Sequence, residues 1–538
     1  MKKESTDSCP ARTEREKLLS SLWQEVLHIE PPGIDDNYFV LGGDSIKALQ
    51  IVSRLRKHGC RLALRDIFQF PTIGRLAPRI TEGSTAAVRL PAIGRVVLTA
   101  IQSWFFKQFK ATPHHFHQAV LLFAKKRLDK AALRLSLTAL LRHHDVLRAR
   151  FIAAETGEWL QEVMDDDRPV RFELIDCRPD PQAVERMREH SFATMQGTDL
   201  TVGSLFAAVL YRMNDGDRLL LTAHHLVVDA VSWRILLPDL HTAYRQHLAG
   251  GEIDLGAKTT SFKEWAERLA AHSLSLAPAR TMADGRQDSL RSPYDDTRPF
   301  TYGERRRCRR LLPPELSNAL HTDVHRAYRT GITDILVCAF GRAVQRETGI
   351  GRFAITLEGH GRESLSGDIE LDRTVGWFTA MYPVIIDCSA PADIGGTIGS
   401  VQAAIRRARA AADRPSPLPS ILFNYLGDFG AELNSELFTL ASEEIGPVID
   451  PRALVPFVLE VTGMCSGGSM ELAIEYGPSL AATRIAALME LWVAELHTLV
   501  GHAAAVAERA ASGAISTIDS AGLGIDEVNS FLHTFTGS

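Results

Sequence analysis

The chain has 538 residues, of which 45% are hydrophobic and 23% charged, and a formal net charge of −5 with both signs mixed along its length. This is material for a large core divided among about two to four domains, and it excludes the basic stripe with which nucleic-acid binders neutralise phosphates. Seven cysteines, an odd number at wide spacing and with no CxxC, argue against a disulfide framework or zinc site and fit a reducing cytoplasm. The opening MKKESTDSCPARTEREK has no apolar stretch behind its basic residues and so is not a secretory signal. No apolar run reaches the roughly 18 residues of a membrane span.

Residues 12–82 predict a small helical unit. RTEREKLLSSLWQEVLHI carries Leu18, Leu22, Val26 and Ile29 at helical spacing, and PPGIDDN ends that helix. SIKALQIVSRLRKHG predicts a second helix, with Asp44 as its N-cap and Gly59 just beyond its end. LALRDIFQFPTIGRLAPRI supplies a short third helix and, after Pro71, a fourth. GSTAAVRLPAIGR, within residues 83–95, has a linker's composition.

From Val96 the pattern becomes mixed α/β. Strands are expected at AVLLFAK, RLLLTA, RFAITLE, YPVIID, SILFNYL and MELAIEY. Helices are expected at KAALRLSLTALLRHH, SFKEWAERLAAH, GTIGSVQAAIRRARAA and ATRIAALMELWVAELHTLV. The stretch 275–303 and DRPSPLPS at 413–420 are expected to be surface loops or crossovers.

Three stretches carry chemistry. In DDNYFVLGGDSIKALQIV, Ser45 opens a helix directly after Asp44, where its hydroxyl is exposed and the helix N-terminus favours a phosphate. A bare GGDS is more often an ordinary N-terminal serine. In TAHHLVVDAVSW, His224, His225 and Asp229 follow an apolar strand. The chain has two other HH pairs, His114–His115 and His143–His144, so pairing alone means little. Adjacent strand residues face opposite ways. That disfavours a shared metal ion, and no metal is expected. It favours one imidazole in a cavity and the other in its support, with Asp229 bracing the loop through a buried cation or backbone N–H. In RFAITLEGHGRE, Glu358 ends a strand before a glycine-flanked turn.

NYFVLGGDSIKAL, on about residues 12–82, resembles the peptidyl carrier domains of nonribosomal peptide synthetases. GGDSI is similar to carriers that precede an epimerization domain. The remainder, about 96–525, resembles the epimerization branch of the condensation-domain superfamily. LTAIQSWFFKQ, PHHFHQAVLL, the HHxxxD element ending in SW, KTTSFKEWA, TLEGHGRE, RTVGWFTAMYP and FNYLGDF carry that resemblance in order.

The resemblance implies a fold: a small all-α four-helix carrier followed by an α/β domain of two chloramphenicol-acetyltransferase-like halves in a V, about 96–270 and 300–525, and a tail at 526–538. It implies a 4′-phosphopantetheine on Ser45 and, in a tunnel between the halves, His225 and Glu358 as the two proton-transfer groups. His224, Asp229, Asn424, Tyr425 and Arg362 would support them, with Ser232 and Trp233 lining the path of the arm. The implied reaction is epimerization of an L-aminoacyl or peptidyl thioester, an isomerase activity that yields D-residues for antibiotic-type peptides. The implied partners are an upstream adenylation domain, a downstream condensation domain and a phosphopantetheinyl transferase. Neither nucleic acid nor membrane is expected, and the chain is expected to be a monomer. The rivals are a peptide-bond-forming condensation enzyme and a catalytically silent domain that recruits partners. The tail could also hold a short docking helix.

Three departures from the family pattern bear on this. Ala100 stands where proline is usual, which is expected to change loop stiffness. Ala230 stands where glycine is usual, which would cost about 1 kcal/mol if that position needs positive φ. DRPSPLPS stands where a glycine-rich stretch usually precedes FNYLG, which puts the local tunnel wall in question.

Overall fold

The computed structural model describes residues 9–82, 91–165, 169–275, 292–294, 298–328, 330–362, 369–390, 393–412, 416–428 and 435–511. Most of the expected linker, most of the 275–303 stretch and the whole tail lie outside these residues.

The first unit is built as its periodicity dictates. Thr13 and Glu16 form a capping box that starts the helix Glu14–Leu27. Leu19, Leu22, Trp23 and Val26 form its buried face and share a core with Ala48, Ile51, Val52 and Leu55 of the helix Ser45–Lys57. Leu18 and Ile29, expected on that face, sit at its margin. Gly59 follows the second helix at φ +70°, the left-handed position that glycine tolerates. The short helices Leu64–Gln69 and Ile73–Leu76 close the unit.

The larger unit has two α/β lobes. The first holds a five-stranded sheet in the order Thr439–Leu440, His117–Ala124, Asp217–His224, Phe206–Arg212, Arg171–Asp176. Asp217–His224 is buried along its whole length and pairs antiparallel with both neighbours, His117 opposite His224. The second lobe holds six strands in the order Arg306–Leu311, Ser469–Tyr476, Leu459–Ser466, Ile421–Asp428, Arg352–Gly359, Ala380–Asp387. Trp492, Phe340 and Phe423 interlock edge-on between this sheet and its helices.

The lobes are not the two contiguous halves expected from sequence. Ile369, Leu371, Val375, Trp377 and Phe378, and also Phe438 and Ala453, pack in the core of the first lobe. Residues 439–440 extend the first lobe's sheet against Leu122 and Phe123. Two segments of the second half therefore cross over and tie the lobes together.

The helical unit sits on the larger one. Arg56 reaches Glu370 at 2.8 Å and both oxygens of Asp372 at 2.8 and 3.1 Å. The Phe39 ring meets that of His325 at 5.5 Å. A Cβ on Gly427 would lie 2.9 Å from Ile46 Cδ1, so the start of the second helix abuts the end of the strand Ile421–Asp428.

Candidate active site

His225 emerges where the central strand Asp217–His224 ends and passes through a single 3₁₀ turn into the helix Ala230–Leu248. The two histidines take different roles. His224 is fully buried; its Nε2 donates to the Pro113 carbonyl at 2.9 Å, and its Nδ1 accepts from Leu226 N–H at 3.2 Å. Burial pushes its pKa down to about 3, so it is a neutral structural group. His225 is half-buried; its Nδ1 donates to the Val228 carbonyl at 2.8 Å, and its Nε2 faces the Gln118 amide nitrogen at 2.8 Å. Its ring lies 4.5 Å from that of Trp377 and 5.5 Å from that of Phe116. Burial lowers its pKa below the ordinary 6.5.

Asp229 caps the helix. Its Oδ1 accepts from Ser232 N–H at 2.7 Å and from the Ser232 hydroxyl at 2.8 Å. Arg362 Nη2 stands 2.8 and 3.0 Å from its two oxygens, and Phe378 N–H donates to Oδ2 at 3.2 Å. Arg362 also donates to the Leu371 and Thr374 carbonyls. The buried cation that would brace this loop is thus Arg362, and Arg362 holds the 371–374 segment as well as its own turn.

Ala230 is the first residue of the helix and is absent from the positive-φ residues, so replacing glycine there carries no backbone penalty. Ala100 likewise opens the helix Ala100–Gln108, the position where proline is at home, after a Thr99–Gln102 capping box. Of DRPSPLPS, residues 413–415 lie outside the described residues. Pro419 accepts from the Thr356 hydroxyl and Ser420 from Val458 N–H, both at 2.8 Å, which fixes the rest of the stretch to the sheet.

Ser232 and Trp233 do not offer polar atoms to an arm. They are 0% and 2% exposed. The Ser232 hydroxyl lies 2.8 Å from Asp229 Oδ1 and 3.0 Å from the Gly376 carbonyl, either of which can take its one hydrogen, and accepts from Gly376 N–H; the Trp233 indole N–H donates to Gln118 Oε1.

Glu358 lies near the end of the strand Arg352–Gly359, half-buried. Burial, reinforced by the Asp229 charge, pushes its carboxyl up to about 7 against hydrogen bonds from Thr379 and Asn424. Asn424 and Tyr425 project oppositely from the strand Ile421–Asp428. Asn424 reaches Glu358, whereas Tyr425 packs in the second lobe's core, its hydroxyl 3.6 Å from Cys465 Sγ.

One four-residue strip joins these groups. Gly376 is bonded to Ser232, Trp377 lies over His225, Phe378 N–H is bonded to Asp229, and Thr379 is bonded to Glu358. Trp377, which lies over His225, and Thr379, which is bonded to Glu358, are two residues apart on this strip. The Asp229 charge acts on both His225 and Glu358. Burial thus favours the neutral imidazole of His225 and keeps the Glu358 carboxyl partly protonated near neutrality, the states in which such groups can take and give protons. Trp377 and Gln118, which touch His225, and Thr379, which is bonded to Glu358, were not among the residues expected from sequence. Each stands in a stretch that carries the family resemblance, yet nothing local marks what it touches.

Ser45 begins the second helix of the small unit, half-buried, with Asp44 Oδ1 accepting from Ile46 and Lys47 N–H at 2.9 and 2.8 Å. Among the described residues, His143, His144 and Asp239 bring potential metal-ligand atoms within 4.8 Å. Arg373 Nη2 already lies 2.8 and 2.9 Å from the two Asp239 oxygens, which opposes a cation there.

Residues 92–509 match the family model described as Condensation domain, and residues 17–80 match that described as Phosphopantetheine attachment site. The chain is 36% identical over 487 residues to surfactin synthase subunit 2 of Bacillus subtilis (strain 168), covering 86% of this chain and 14% of that protein. It is 33% identical over 506 residues to tyrocidine synthase 1 of Brevibacillus parabrevis, covering 87% of this chain and 46% of that one. It therefore spans less than half the length of these relatives. The crystal structure of the epimerization domain from the third module of tyrocidine synthetase B matches 79% of this chain and 100% of its own, at 30% identity and a TM-score of 0.69. The first condensation domain of the calcium-dependent antibiotic synthetase, at 17% identity and a TM-score of 0.56 over 76% of this chain and 96% of its own, shares the fold.

Proposed function

Because the chain belongs to the condensation-domain family and carries a phosphopantetheine attachment domain ahead of it, we propose that it epimerises the α-carbon of an L-aminoacyl or peptidyl thioester tethered to Ser45. The single observation that supports this most is the strip Gly376–Thr379, in which Trp377 lies over His225 and Thr379, two residues on, is bonded to Glu358. The likeness to a solved epimerization domain, at higher identity than to condensation domains, supports the same reading.

The attachment-domain match indicates a covalent 4′-phosphopantetheine, and the residues around Ser45 fit one. The hydroxyl stands at a helix N-terminus, where backbone N–H groups favour a phosphate. Arg234, bonded to the Asp428 carbonyl at 2.9 Å, has its guanidinium 3.7 Å from where a Gly427 Cβ would lie, beside the abutting Ile46. When bound, the group supplies the thiol that holds the acyl chain as a thioester, which acidifies the α-proton.

The chain's own residues do the rest. His225 Nε2, kept neutral by burial, removes or returns a proton on one side. Glu358, protonated near neutrality, returns or removes one on the other. The pair holds a single exchangeable proton in both directions of the reaction. Developing charge on the thioester oxygen needs a donor. The Trp377 indole N–H, buried beside His225 and without a protein acceptor among the described residues, supports a reading in which it serves as that donor. The partners implied are those of a longer synthetase: an adenylation domain that loads Ser45, a condensation domain that takes the product, and the transferase that attaches the arm.

The test is to load Ser45 with synthetic aminoacyl-pantetheine and follow the chirality of the released amino acid, with and without an acceptor aminoacyl carrier. Approach to a D/L mixture without acceptor supports epimerization. Dipeptide formation without inversion favours condensation, and neither outcome across several amino acids favours a silent partner-recruiting domain.

A further inference from the structure

We propose that Gln118 is a positioning residue that locks His225 in the tautomer whose Nε2 is unprotonated, its lone pair accepting from the Gln118 amide. The inference deepens the reading of His225 as a proton-transfer group and rests on it.

Three one-way groups fix the assignment. The Val228 carbonyl only accepts, so His225 Nδ1 carries the hydrogen across their 2.8 Å contact. The Trp233 indole N–H only donates, so the Gln118 atom 2.9 Å from it is the carbonyl oxygen. The opposite end of that planar amide is then its NH₂, 2.8 Å from His225 Nε2, and it too only donates. Nε2 is left as the acceptor. Gln118 sits on the strand His117–Ala124, which pairs with the strand carrying His224, and its backbone carbonyl accepts from the Thr222 hydroxyl across that pair at 3.4 Å.

The lock has a chemical consequence. Protonating Nε2 would aim an N–H at the amide NH₂. The amide must then turn its oxygen toward the ring, which sets its NH₂ against the Trp233 N–H. Gln118 therefore opposes the imidazolium and makes His225, once protonated, a readier acid. That suits a group that must both take and return a proton. The other charged or titratable groups around His225 are few. Asp229, paired with Arg362, favours the imidazolium, and Glu358 lies across the Gly376–Thr379 strip. His224 and His117 behind it are both pushed toward neutrality by burial. Phe116 and Trp377 bring aromatic rings and no charge.

Two measurements on the full chain test this. In the first, Ser45 is loaded with aminoacyl-pantetheine and α-deuterium uptake is followed against pH for wild type, Gln118→Glu, Gln118→Leu and Trp233→Phe. The near-isosteric carboxylate of Gln118→Glu accepts from Nε2–H, so the acid limb moves up by about one pH unit or more, with roughly tenfold less exchange on that limb. Gln118→Leu removes the opposing donor and shifts the limb the same way by less, and Trp233→Phe, which frees the amide to turn, does so with Gln118 intact. An acid limb unmoved in Gln118→Glu overturns the proposal. In the second, nitrogen-15 histidine spectra, with His225→Ala to assign the signal, report the tautomer directly. A protonated Nδ1 and a bare Nε2 in wild type, lost in Gln118→Glu, are expected, and the opposite tautomer in wild type overturns the lock. If His225→Ala exchanges at the wild-type rate, the proton-transfer reading fails instead, and the tautomer spectra still decide the role of Gln118.

Discussion

Arg362 and Asp229, 133 residues apart in sequence, form a buried ion pair that joins the second half of the chain to the helix after His225. Arg362 is 2% and Asp229 5% exposed, and both oxygens of the carboxylate are engaged. In so dry a place the attraction is helped to offset desolvation by the Leu371 and Thr374 carbonyls that accept from Nη1, although Nε has no partner among the described residues.

Breaking that pair from one side leaves an uncompensated charge. Asp229→Asn is expected to lower unfolding stability by about 3–5 kcal/mol, read as a lower denaturant midpoint. It also removes the helix cap at Ser232 and the anchor of Phe378 N–H. Exchange activity is therefore expected to fall even where the variant remains folded.

Exchange should follow a bell-shaped pH profile. Below the lowered pKa of His225 the imidazole is protonated, and above about 7 the Glu358 carboxyl is ionised; either change alters the one-proton state that the pair requires. Initial-rate deuterium uptake from pH 5 to 9 should peak between these limits. Glu358→Gln should abolish inversion and with it the alkaline limb.

The same carboxyl makes a stability prediction. Its pKa is raised from 4.5 to about 7 on folding, so between those values the folded chain binds more protons than the unfolded one. Its contribution is present below pH 4.5 and is lost as pH rises through about 7. Glu358→Gln should therefore raise the melting temperature relative to wild type at pH 8 more than at pH 5, by differential scanning calorimetry.

His224 should prove structural. His224→Ala removes two internal hydrogen bonds and leaves a cavity beside Phe105 and His117. A loss of about 1–3 kcal/mol is expected. Thermal unfolding should fall clearly, while exchange, measured below the new transition, should fall far less than in His225→Ala.

Seating of the carrier should depend on charge. Arg56 bridges Glu370 and Asp372, and Asp372 lies within the 371–374 segment that Arg362 holds. Arg56→Asp should slow exchange of a substrate tethered to Ser45 several-fold, while a free aminoacyl-pantetheine thioester should react as with wild type. Pairing it with Asp372→Arg should recover much of the rate in single-turnover assays.

What was legible in the sequence was local. Asp44 as a cap, Gly59 beyond the second helix and the strand-to-helix passage at His225 follow from caps and periodicity, because neighbouring residues decide them. The strand Phe206–Arg212 was not singled out: six of its seven residues are buried, so no alternation marks it. The contacts that make the site were illegible because they join distant segments. Gln118 meets His225 only because His117 pairs with His224, and Trp377 reaches the first lobe only because residues 369–378 cross over. A division by sequence into two halves misses such an exchange. That Ser232 would be buried and bonded was illegible for a similar reason: its hydroxyl partners, Gly376 N–H and carbonyl, come from that crossing segment.

The central claim is that an imidazole and a carboxyl act on one tethered carbon from two sides. It is tested most directly by single-turnover exchange in deuterated water, started separately from L- and D-aminoacyl chains on Ser45, for wild type, His225→Ala and Glu358→Gln. Wild type should take up deuterium with inversion from either antipode. Both variants should lose inversion, and any residual exchange should favour opposite antipodes in the two. Inversion at the wild-type rate in either variant would contradict the account.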